Sequence, residues 1–544
     1  MARVRLVTLG PAALAALMLL PCCSSGGKRP GSDPVDSGDS ETETEPLIEG
    51  EIPGWTMSWI VQEGGPVEGD IYSFNDRATS VATLSDGSTY TTGIFSGTAI
   101  FDQGGPNETV LNDEGGSYDG FVAKYSPGGE LAWARQIGTP MDASGFEVTV
   151  LDDGGGLVAG RTEDETTYFH GAPGETTLTT PAGPKNGFFI ARFGADGELI
   201  WVSIGGDPEE ESWSGVFGIA VVSDDVAVVT GTFRDRLVTN PGTIYQLETE
   251  SYGDSDIFVA GVSLEDGSIE WVEKAGSVED DKGAGVVSSN DGSAVVLGKY
   301  RGSPLLGEGQ PNETQLDEGP GLFLARYGPG GELEWARTAV EGIVPVMNKR
   351  TISMTHIGGG FAIATAFSGT AVLDRGCKTE TVLTTAEDGE DILLASYSSS
   401  GALEWVKHAK WTGEGHSEAI TCAISVSPAG RIALSGAYEG EMIFGPGEPQ
   451  ETLLPRNTWA GEDMFLALFE PDGSLEWATS FNGDVPGAEF GDGVEFRGEH
   501  TIFFCGRFYG EMVFGTCAED AVLLEASGSA DMFLMRLDET EPPT

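Results

Sequence analysis

The stretch SPGGELAW, residues 126–133, decides the fold of this chain. It joins a glycine-rich turn to a short apolar segment that ends on a tryptophan, and a close copy, GADGELIW, occupies residues 194–201. Such tryptophans recur at intervals of 64 to 74 residues, and the complete set is Trp59, Trp133, Trp201, Trp271, Trp335, Trp405 and Trp477. A fixed period of this size over most of a chain is typical of a repeat architecture.

A second marker reads DGFVAKY at residues 119–125, and copies of it precede every repeat tryptophan except the first. A final copy, DMFLMRL, occupies residues 531–537. These runs are short, apolar on both faces and bounded by turn residues, as expected for buried strands. We expect their aromatic residues, such as Phe121 and Phe533, to fill the layer between neighbouring repeats.

The repeat tryptophans are expected to cover the outer edge of the core. Each indole N–H should then donate to a backbone carbonyl or to water, because a buried tryptophan usually finds such a partner. The alternative role for these side chains is a set of platforms on which sugars stack.

Two further strands fill each repeat, and Asp-Gly or Gly-Gly turns join them, so each repeat reads as an antiparallel meander of four strands. The seven tryptophan strands and the seven DxF strands are out of phase. The chain opens with the strand around Trp59, which has no marker strand before it, and closes with the strand around Phe533, which has no tryptophan strand after it. Pairing these two strands would join the ends and remove exposed sheet edges.

The sequence therefore predicts an all-β fold, a seven-bladed β-propeller over residues 55–538. Its blades are four-stranded and antiparallel, and the strand around Trp59 completes the last one. An open β-solenoid could use the same local strands, but it would need caps and gives no reason for the phase shift.

The pairing of DxFxAKY with GELxW, together with GxFxGT in the second strand, resembles the bacterial seven-bladed β-propeller repeat proteins called SBBP repeat proteins. The resemblance covers nearly all of the chain after residue 54. It implies the propeller fold and a secreted or surface setting. Since its motifs are structural, it carries over no catalytic residue.

The N-terminus has the pattern of an export signal. Arg3 and Arg5 precede a mostly apolar run, residues 6–20, which is too short for a comfortable membrane span. The run ends in LPCCSS, which resembles the signal of bacterial lipoproteins, in which a cysteine becomes the lipidated first residue. Cys23 fits this role better than Cys22, because Cys22 would place Pro21 at the cleavage bond.

The predicted signal peptide thus covers residues 1–23, and an ordinary secretory signal is the alternative. We expect export and a lipid anchor in a bacterial membrane, at the outer membrane or cell surface. Residues 24–54 contain almost no large apolar side chain, which predicts a disordered tether, and residues 539–544 form a short tail.

The charge balance limits the partners. The chain has 29 basic and 86 acidic residues, a net charge of -57, which excludes nucleic acid as the expected partner. It suits a soluble protein in salty or cation-rich surroundings, where screening weakens self-repulsion. We expect a monomer that contacts the membrane only through its lipid anchor.

The turns from first to second and from third to fourth strand are minimal, whereas the second-to-third and repeat-to-repeat connections are long. Ligands are expected at the face with the long connections, since elaborate loops on a rigid scaffold usually carry binding. Two of these connections are acidic. Solvated loop carboxylates are the main interpretation and no cofactor is expected, while Ca²⁺, which prefers oxygen ligands, is the alternative. The candidate ligand or cation residues are Asp207, Glu209, Glu210, Glu279, Asp280, Asp281 and His416.

No zinc-protease or hydrolase-elbow motif is present in the sequence. The leading hypothesis is a non-enzymatic surface lipoprotein that binds protein or glycan through its long-connection face. The alternatives are a glycoside hydrolase or lyase with carboxylates in the central funnel, and a calcium-dependent binding module. Cys505 and Cys517 are the candidate disulfide pair, because an exported protein permits one.

Overall fold

The computed structural model describes residues 54–65, 76–113, 115–163, 166–170, 176–179, 186–207, 212–241, 243, 246–343, 352–387, 389–413, 418–456, 461–481, 489–514, 522–527 and 530–540. Within these residues the chain forms antiparallel β-strands and no helix, as the sequence predicts.

The strands have the following bounds: β1 Trp55–Glu63, β2 Arg77–Thr83, β3 Thr89–Phe95, β4 Thr98–Phe101, β5 Thr109–Asn112, β6 Asp119–Tyr125, β7 Leu131–Gly138, β8 Ala143–Val150, β9 Gly156–Thr162, β10 Thr166–His170, β11 Thr176–Thr179, β12 Gly187–Phe193, β13 Leu199–Gly206, β14 Ser214–Val221, β15 Val226–Thr239, β16 Leu247–Ser263, β17 Ile269–Gly276, β18 Lys282–Ser288, β19 Ala294–Tyr300, β20 Leu305–Leu306, β21 Thr314–Gln315, β22 Gly321–Tyr327, β23 Leu333–Ile343, β24 Ile352–Ile357, β25 Gly360–Leu373, β26 Thr381–Thr384, β27 Glu390–Tyr397, β28 Leu403–Trp411, β29 Glu418–Val426, β30 Ile432–Glu439, β31 Met442–Phe444, β32 Thr452–Leu454, β33 Asp463–Phe469, β34 Leu475–Phe481, β35 Phe490–Phe496, β36 Thr501–Phe508, β37 Glu511–Phe514, β38 Val522–Glu525 and β39 Asp531–Glu539.

Most strands belong to antiparallel sets of four, which we call units and name after their first strand. Within a unit the first strand pairs with the second, the second with the third and the third with the fourth. The units are β2-β3-β6-β7, β8-β9-β12-β13, β14-β15-β16-β17, β18-β19-β22-β23, β24-β25-β27-β28, β29-β30-β33-β34 and β35-β36-β39-β1.

The first strands of the units lie beside one another. β2 contacts β8, and the contacts continue through β14, β18, β24 and β29 to β35, which also contacts β2. This all-β arrangement of antiparallel units is compatible with a propeller-like fold.

The ends of the chain meet in one sheet. β1 pairs with β39, so that Trp59 lies opposite Arg536 and Gln62 lies opposite Phe533. The amide N–H of Thr540 also donates to the carbonyl oxygen of Gly54, 2.8 Å away. The pairing of the first tryptophan strand with the last marker strand, predicted from their phase, is confirmed.

The second-to-third connections, expected to be long loops, contain further hairpins. β4 pairs with β5, β10 with β11, β20 with β21, β31 with β32 and β37 with β38, while in two units the long strands β15, β16 and β25 extend into such a hairpin. Several of these hairpins pair with the fourth strand of the preceding unit, as β10 does with β7 and β31 with β28. They cover an edge that would otherwise present unpaired N–H and C=O groups.

The repeat tryptophans contact the following unit. Gly129, in the turn between β6 and β7, has a φ of 81°, and a Cβ there would lie 2.7 Å from the Trp59 ring of the β35 unit. Trp59 also donates its indole N–H to the carbonyl oxygen of Pro127 in the same turn, 3.2 Å away. The same ring-on-glycine contact joins Trp133 to Gly197, Trp201 to Gly267, Trp271 to Gly331, Trp335 to Gly401 and Trp405 to Gly473.

The Gly-x-x-x-Trp pattern of the repeat is therefore a contact between units. In the copies that end on Trp133 to Trp405, the glycine receives the tryptophan of the preceding unit and the tryptophan reaches the glycine of the next. Trp477, in the β29 unit, meets Trp55 of β1 instead, edge to face at 6.3 Å. A glycine is needed because the turn has positive φ and the indole occupies the space of a side chain.

A second glycine controls the shape of the first strands. A Cβ at Gly93, in β3, would overlap the carbonyl oxygen of Arg77 in β2, and β2 carries a bulge between Ala78 and Ser80. The β24 unit has Thr365 at this position, and there the first strand pairs without any register shift. The glycine thus permits the bulge, which redirects a side chain.

The aspartate of the DxF marker binds its own fourth strand. Asp119 accepts hydrogen bonds from Gln136 Nε2 at 2.8 Å and from the Thr139 amide at 3.2 Å. In other units Asp391 pairs with His408 at 2.7 Å, and Asp531 accepts from Gln62 at 2.6 Å. These aspartates tie the third strand to the fourth.

Candidate functional site

A cavity of about 1000 Å³ lies between the first strands of the units, and we call it the inner cavity. Its middle layer is apolar because one aliphatic position recurs in the first strands. That layer includes Val81, Val148, Ile219, Val286, Met354 and Val494.

One end of the inner cavity is formed where the first strands begin and the second strands finish, and we call it the connection end. The unit-to-unit and second-to-third connections meet the sheets at this end. Lys282 begins β18 and lies opposite Lys299 of β19, while Phe490 begins β35 and lies opposite Arg507 of β36. All four residues line the cavity.

Aromatic rings form part of the wall at the connection end. Phe146 and Phe217 occupy the bulges of β8 and β14, and their rings stack with centroids 5.2 Å apart. Trp213 stacks on Phe217 at 5.8 Å. The bulges aim both phenylalanines at the cavity, where they make a flat apolar surface.

Basic side chains lie against these rings. Arg161 and Lys282 are placed over the Trp213 ring, at 5.5 Å and 5.7 Å from its centroid. Such cation–π contacts are strongest where the charge is desolvated. The Phe146–Phe217–Trp213 wall therefore has two cations beside its aromatic surface, Lys282 of β18 and Arg161 of β9, and Arg161 also forms an ion pair with Glu163.

A second basic pair lies at the β35 and β2 side of the cavity. The guanidinium groups of Arg507 and Arg77 lie 4.3 Å and 5.6 Å from the Phe490 ring centroid. Arg77 also forms a two-pronged ion pair with the buried Asp492, whose Oδ2 accepts from Nε at 2.8 Å. Burial lowers the pKa of Arg507, and the positive charge of Arg77 acts in the same direction.

Lys299 lies at this end of the cavity near other cations. Its side chain is buried, and burial lowers its pKa to about 7, with the charges of Lys282 and Arg301 adding to the effect. Burial also lowers the pKa of Lys282. The negative charge of Asp280 acts in the opposite direction on Lys282 and favours its protonated form.

The inner cavity also contains carboxyl groups. Glu147 accepts from Ser80 Oγ at 3.1 Å, and Glu495 accepts from Ser425 Oγ at 3.2 Å, so each is held by a neighbouring first strand. Burial raises the pKa of Glu495 to about 7. A carboxyl that keeps its proton near neutral pH can act as a general acid.

Four of the seven predicted ligand or cation residues lie within the described residues. Asp280 accepts from Ser255 Oγ at 2.6 Å, and Asp281 accepts from the Arg301 amide at 3.1 Å, while burial raises the pKa of Asp281 to about 6. Asp207 is buried and Glu279 is exposed. Glu209, Glu210 and His416 lie outside the described residues.

Within the described ranges, no group of three or more His, Cys, Asp or Glu side chains is placed to hold a metal ion. The described carboxylates Asp280 and Asp281 instead hold a neighbouring hydroxyl and amide. A calcium site at these loops remains a prediction.

Of the cysteines in the disulfide and lipidation predictions, only Cys505 lies within the described residues. Cys505 is buried in β36, and its thiol donates to the carbonyl oxygen of Ala78 at 3.9 Å. Cys517, Cys22 and Cys23 lie outside the described residues. In the part of the chain that is described, no helix is both long and apolar enough to cross a membrane.

The sequence pointed to the face with the long connections, where the connection end lies, but it did not single out the basic and aromatic residues of the inner cavity. The basic residues at the connection end come from β2, β9, β18, β19 and β36, which are far apart in the chain and form no local motif. A usable signal would have been the basic residue that opens a first strand, as Arg77 and Lys282 do.

No protein-family model matches this chain, and none of the curated proteins matches it in sequence. Among solved structures, a europium-containing methanol dehydrogenase aligns with 91% of this chain and 95% of its own, at 10% identity and a TM-score of 0.34. A likeness at this score supports no inference about the activity of the chain.

Proposed function

We propose that the chain is a closed seven-bladed β-propeller of the SBBP repeat type. Two contacts support closure: β1 pairs with β39, and the first strand β35 lies beside β2. Each unit supplies one blade, tryptophan–glycine contacts link six of the seven pairs of neighbouring blades, and the Trp477–Trp55 contact links the remaining pair.

We further propose that this propeller is a non-enzymatic binding protein of a bacterial surface. The lipobox-like start supports an exported protein with a lipid on Cys23, or on Cys22, at the outer membrane or cell surface. Residues 24–54 would then hold a monomeric propeller away from the membrane.

The inner cavity is the proposed binding site for a protein or glycan. The observation that carries this proposal is the combination of a cavity of about 1000 Å³ with the Phe146–Phe217–Trp213 wall at its connection end. Ligand sites are usually concave and mostly apolar, with a few polar groups that orient the ligand.

Glycan-array and pull-down screening of the full-length protein tests the proposal. Phe217→Ala removes one ring of the Phe146–Phe217 stack. It should lower the affinity for any captured ligand about 10-fold or more, as loss of a central aromatic contact usually does. Val382→Ala, which trims an exposed side chain of β26 away from the cavity, is the matched control. Equal binding by both variants would place the ligand elsewhere.

A glycoside hydrolase or lyase is the second candidate, because Glu147 and Glu495 both line the inner cavity and the pKa of Glu495 is raised to about 7. Release of reducing ends from a polysaccharide panel would favour it, provided that Glu495→Gln abolishes the release. Turnover of that kind would replace the scaffold proposal.

A further inference from the structure

We propose that the connection end of the inner cavity binds the acidic group of an anionic glycan, either a uronate carboxylate or a sugar sulfate. This inference rests on the proposed function and names the class of its ligand.

Basic side chains are concentrated at this end of the cavity. The chain has only 29 basic residues against 86 acidic ones, yet Arg77, Lys282, Lys299 and Arg507 all line it. These four cations outnumber the carboxylates beside them, Glu462 and Asp492, of which Asp492 pairs with Arg77. Charges separated by more than about 8–10 Å are largely screened at physiological salt. An anionic polymer, repelled by the surface elsewhere, would therefore be attracted to this end.

Placing these cations close together reduces the stability of the folded protein. Like charges that are partly desolvated and close together destabilise a fold, and such costs are usually retained at functional sites. Lys299 lies opposite Lys282 in the sheet and is also near Arg301, while Arg507 lies near Arg77, whose charge Asp492 partly balances. A carboxylate or sulfate bound between them would offset this repulsion.

Arg507 has a hydrogen-bond donor that an oxyanion could use. Among the described residues, the Nε–H of Arg507 has no hydrogen-bond partner. A guanidinium group matches the two oxygens of a carboxylate or sulfate, and such charge-assisted pairs are stronger than neutral hydrogen bonds. Arg507 can therefore receive an oxyanion without giving up a bond through that atom.

The size and the aromatic lining of the cavity favour an anion carried by a sugar over a free anion. The cavity is far larger than an inorganic ion, and the Phe146–Phe217 stack offers a flat apolar surface beside the charges. Acidic sugars combine an apolar C–H face with a negative group. Nucleic acid fits less well, because its dense phosphate charge would be repelled by a protein with a net charge of -57.

The test measures binding of the full-length protein to polygalacturonate, chondroitin sulfate, neutral dextran and free sulfate by calorimetry. We expect both acidic glycans to bind, each more tightly than free sulfate, and dextran not to bind. Affinity should fall at least 10-fold between about 50 and 500 mM salt, because exposed charge contacts are screened.

Lys299→Met separates a binding role from a structural one. The substitution keeps the volume but removes the charge, so affinity for acidic glycans should fall about 10-fold or more while the melting temperature stays or rises. Lys282→Gln, at the cavity edge, provides a second variant if the first does not fold. Lys274→Met makes the same change of charge at Tyr252 in the β14 unit, away from the cavity, and should leave affinity unchanged.

Tighter binding of dextran or of free sulfate than of the acidic glycans would overturn the inference, as would an affinity for acidic glycans that none of the cavity variants lowers. Capture of a neutral glycan or a defined protein that Phe217→Ala weakens would keep the proposed function and still reject the acidic ligand. A ligand of any kind that neither Phe217→Ala nor Lys299→Met weakens would reject both.

Discussion

Replacing Gly129 by alanine should break the contact between the chain's N-terminal strand and the β2 unit. At a φ of 81°, an L-residue costs about 1–2 kcal/mol relative to glycine. The new Cβ would also lie 2.7 Å from Cδ2 of Trp59, closer than real Cβ contacts, and 3.0 Å from its Cε3. Since overpacking adds about 1–3 kcal/mol, we expect Gly129→Ala to destabilise the protein by about 2–5 kcal/mol.

Gly447 provides a matched control. Its φ is 80°, and a Cβ there would have no atom within 4 Å, so Gly447→Ala should cost only the backbone strain of about 1–2 kcal/mol. The difference between the two variants measures the overlap with Trp59.

The assay is a guanidinium unfolding curve followed by circular dichroism. Midpoints are compared, because a chain of this length need not unfold in two states. In a Trp59→Leu background, the added loss from Gly129→Ala should shrink, since the smaller side chain leaves room for the methyl group. If Gly129→Ala and Gly447→Ala shift the midpoint equally, the proposed contact between units contributes nothing to stability.

Three further predictions follow from other features. Gly93→Ala should destabilise the fold by more than Thr365→Gly, because only the first places a Cβ against a bulge carbonyl, and unfolding midpoints would compare them. Burial, with Asp463 nearby, raises the pKa of Glu489 to about 8, so the folded state holds this proton between about pH 4.5 and 8, and stability falls as pH rises through that window. Glu489→Gln should therefore flatten the dependence of melting temperature on pH, and an unchanged slope would count against this role of Glu489. If Ca²⁺ binds the acidic loops, millimolar Ca²⁺ should raise the melting temperature and Asp280→Asn should reduce the gain, whereas no shift would remove the calcium hypothesis.

Some features of the fold were predictable because their causes are local. The Gly129 turn and the strand to Trp133 lie within eight residues, and turn chemistry with alternating side chains acts over that distance. The pairing of β1 with β39 was predictable for another reason, since two strands without partners in a repeat must satisfy each other's edges.

The hairpins in the second-to-third connections were missed. β31 and β32 have only three residues each, too short for an alternating pattern to be recognised. They are stabilised by pairing with a strand of the preceding unit, as β31 is by β28, which no local sequence signal describes.

The amino-acid sequence by itself determined the repeat, the strands within each unit and the pairing of the two chain ends, because turn glycines, apolar runs and unmatched strands can be read along the chain. Only the tertiary structure decided that Arg77, Lys282, Lys299 and Arg507 share one end of a cavity. These residues belong to three units and lie as many as 430 positions apart in the chain. Their proximity follows from how the units pack, a long-range property that no spacing of residue types expresses.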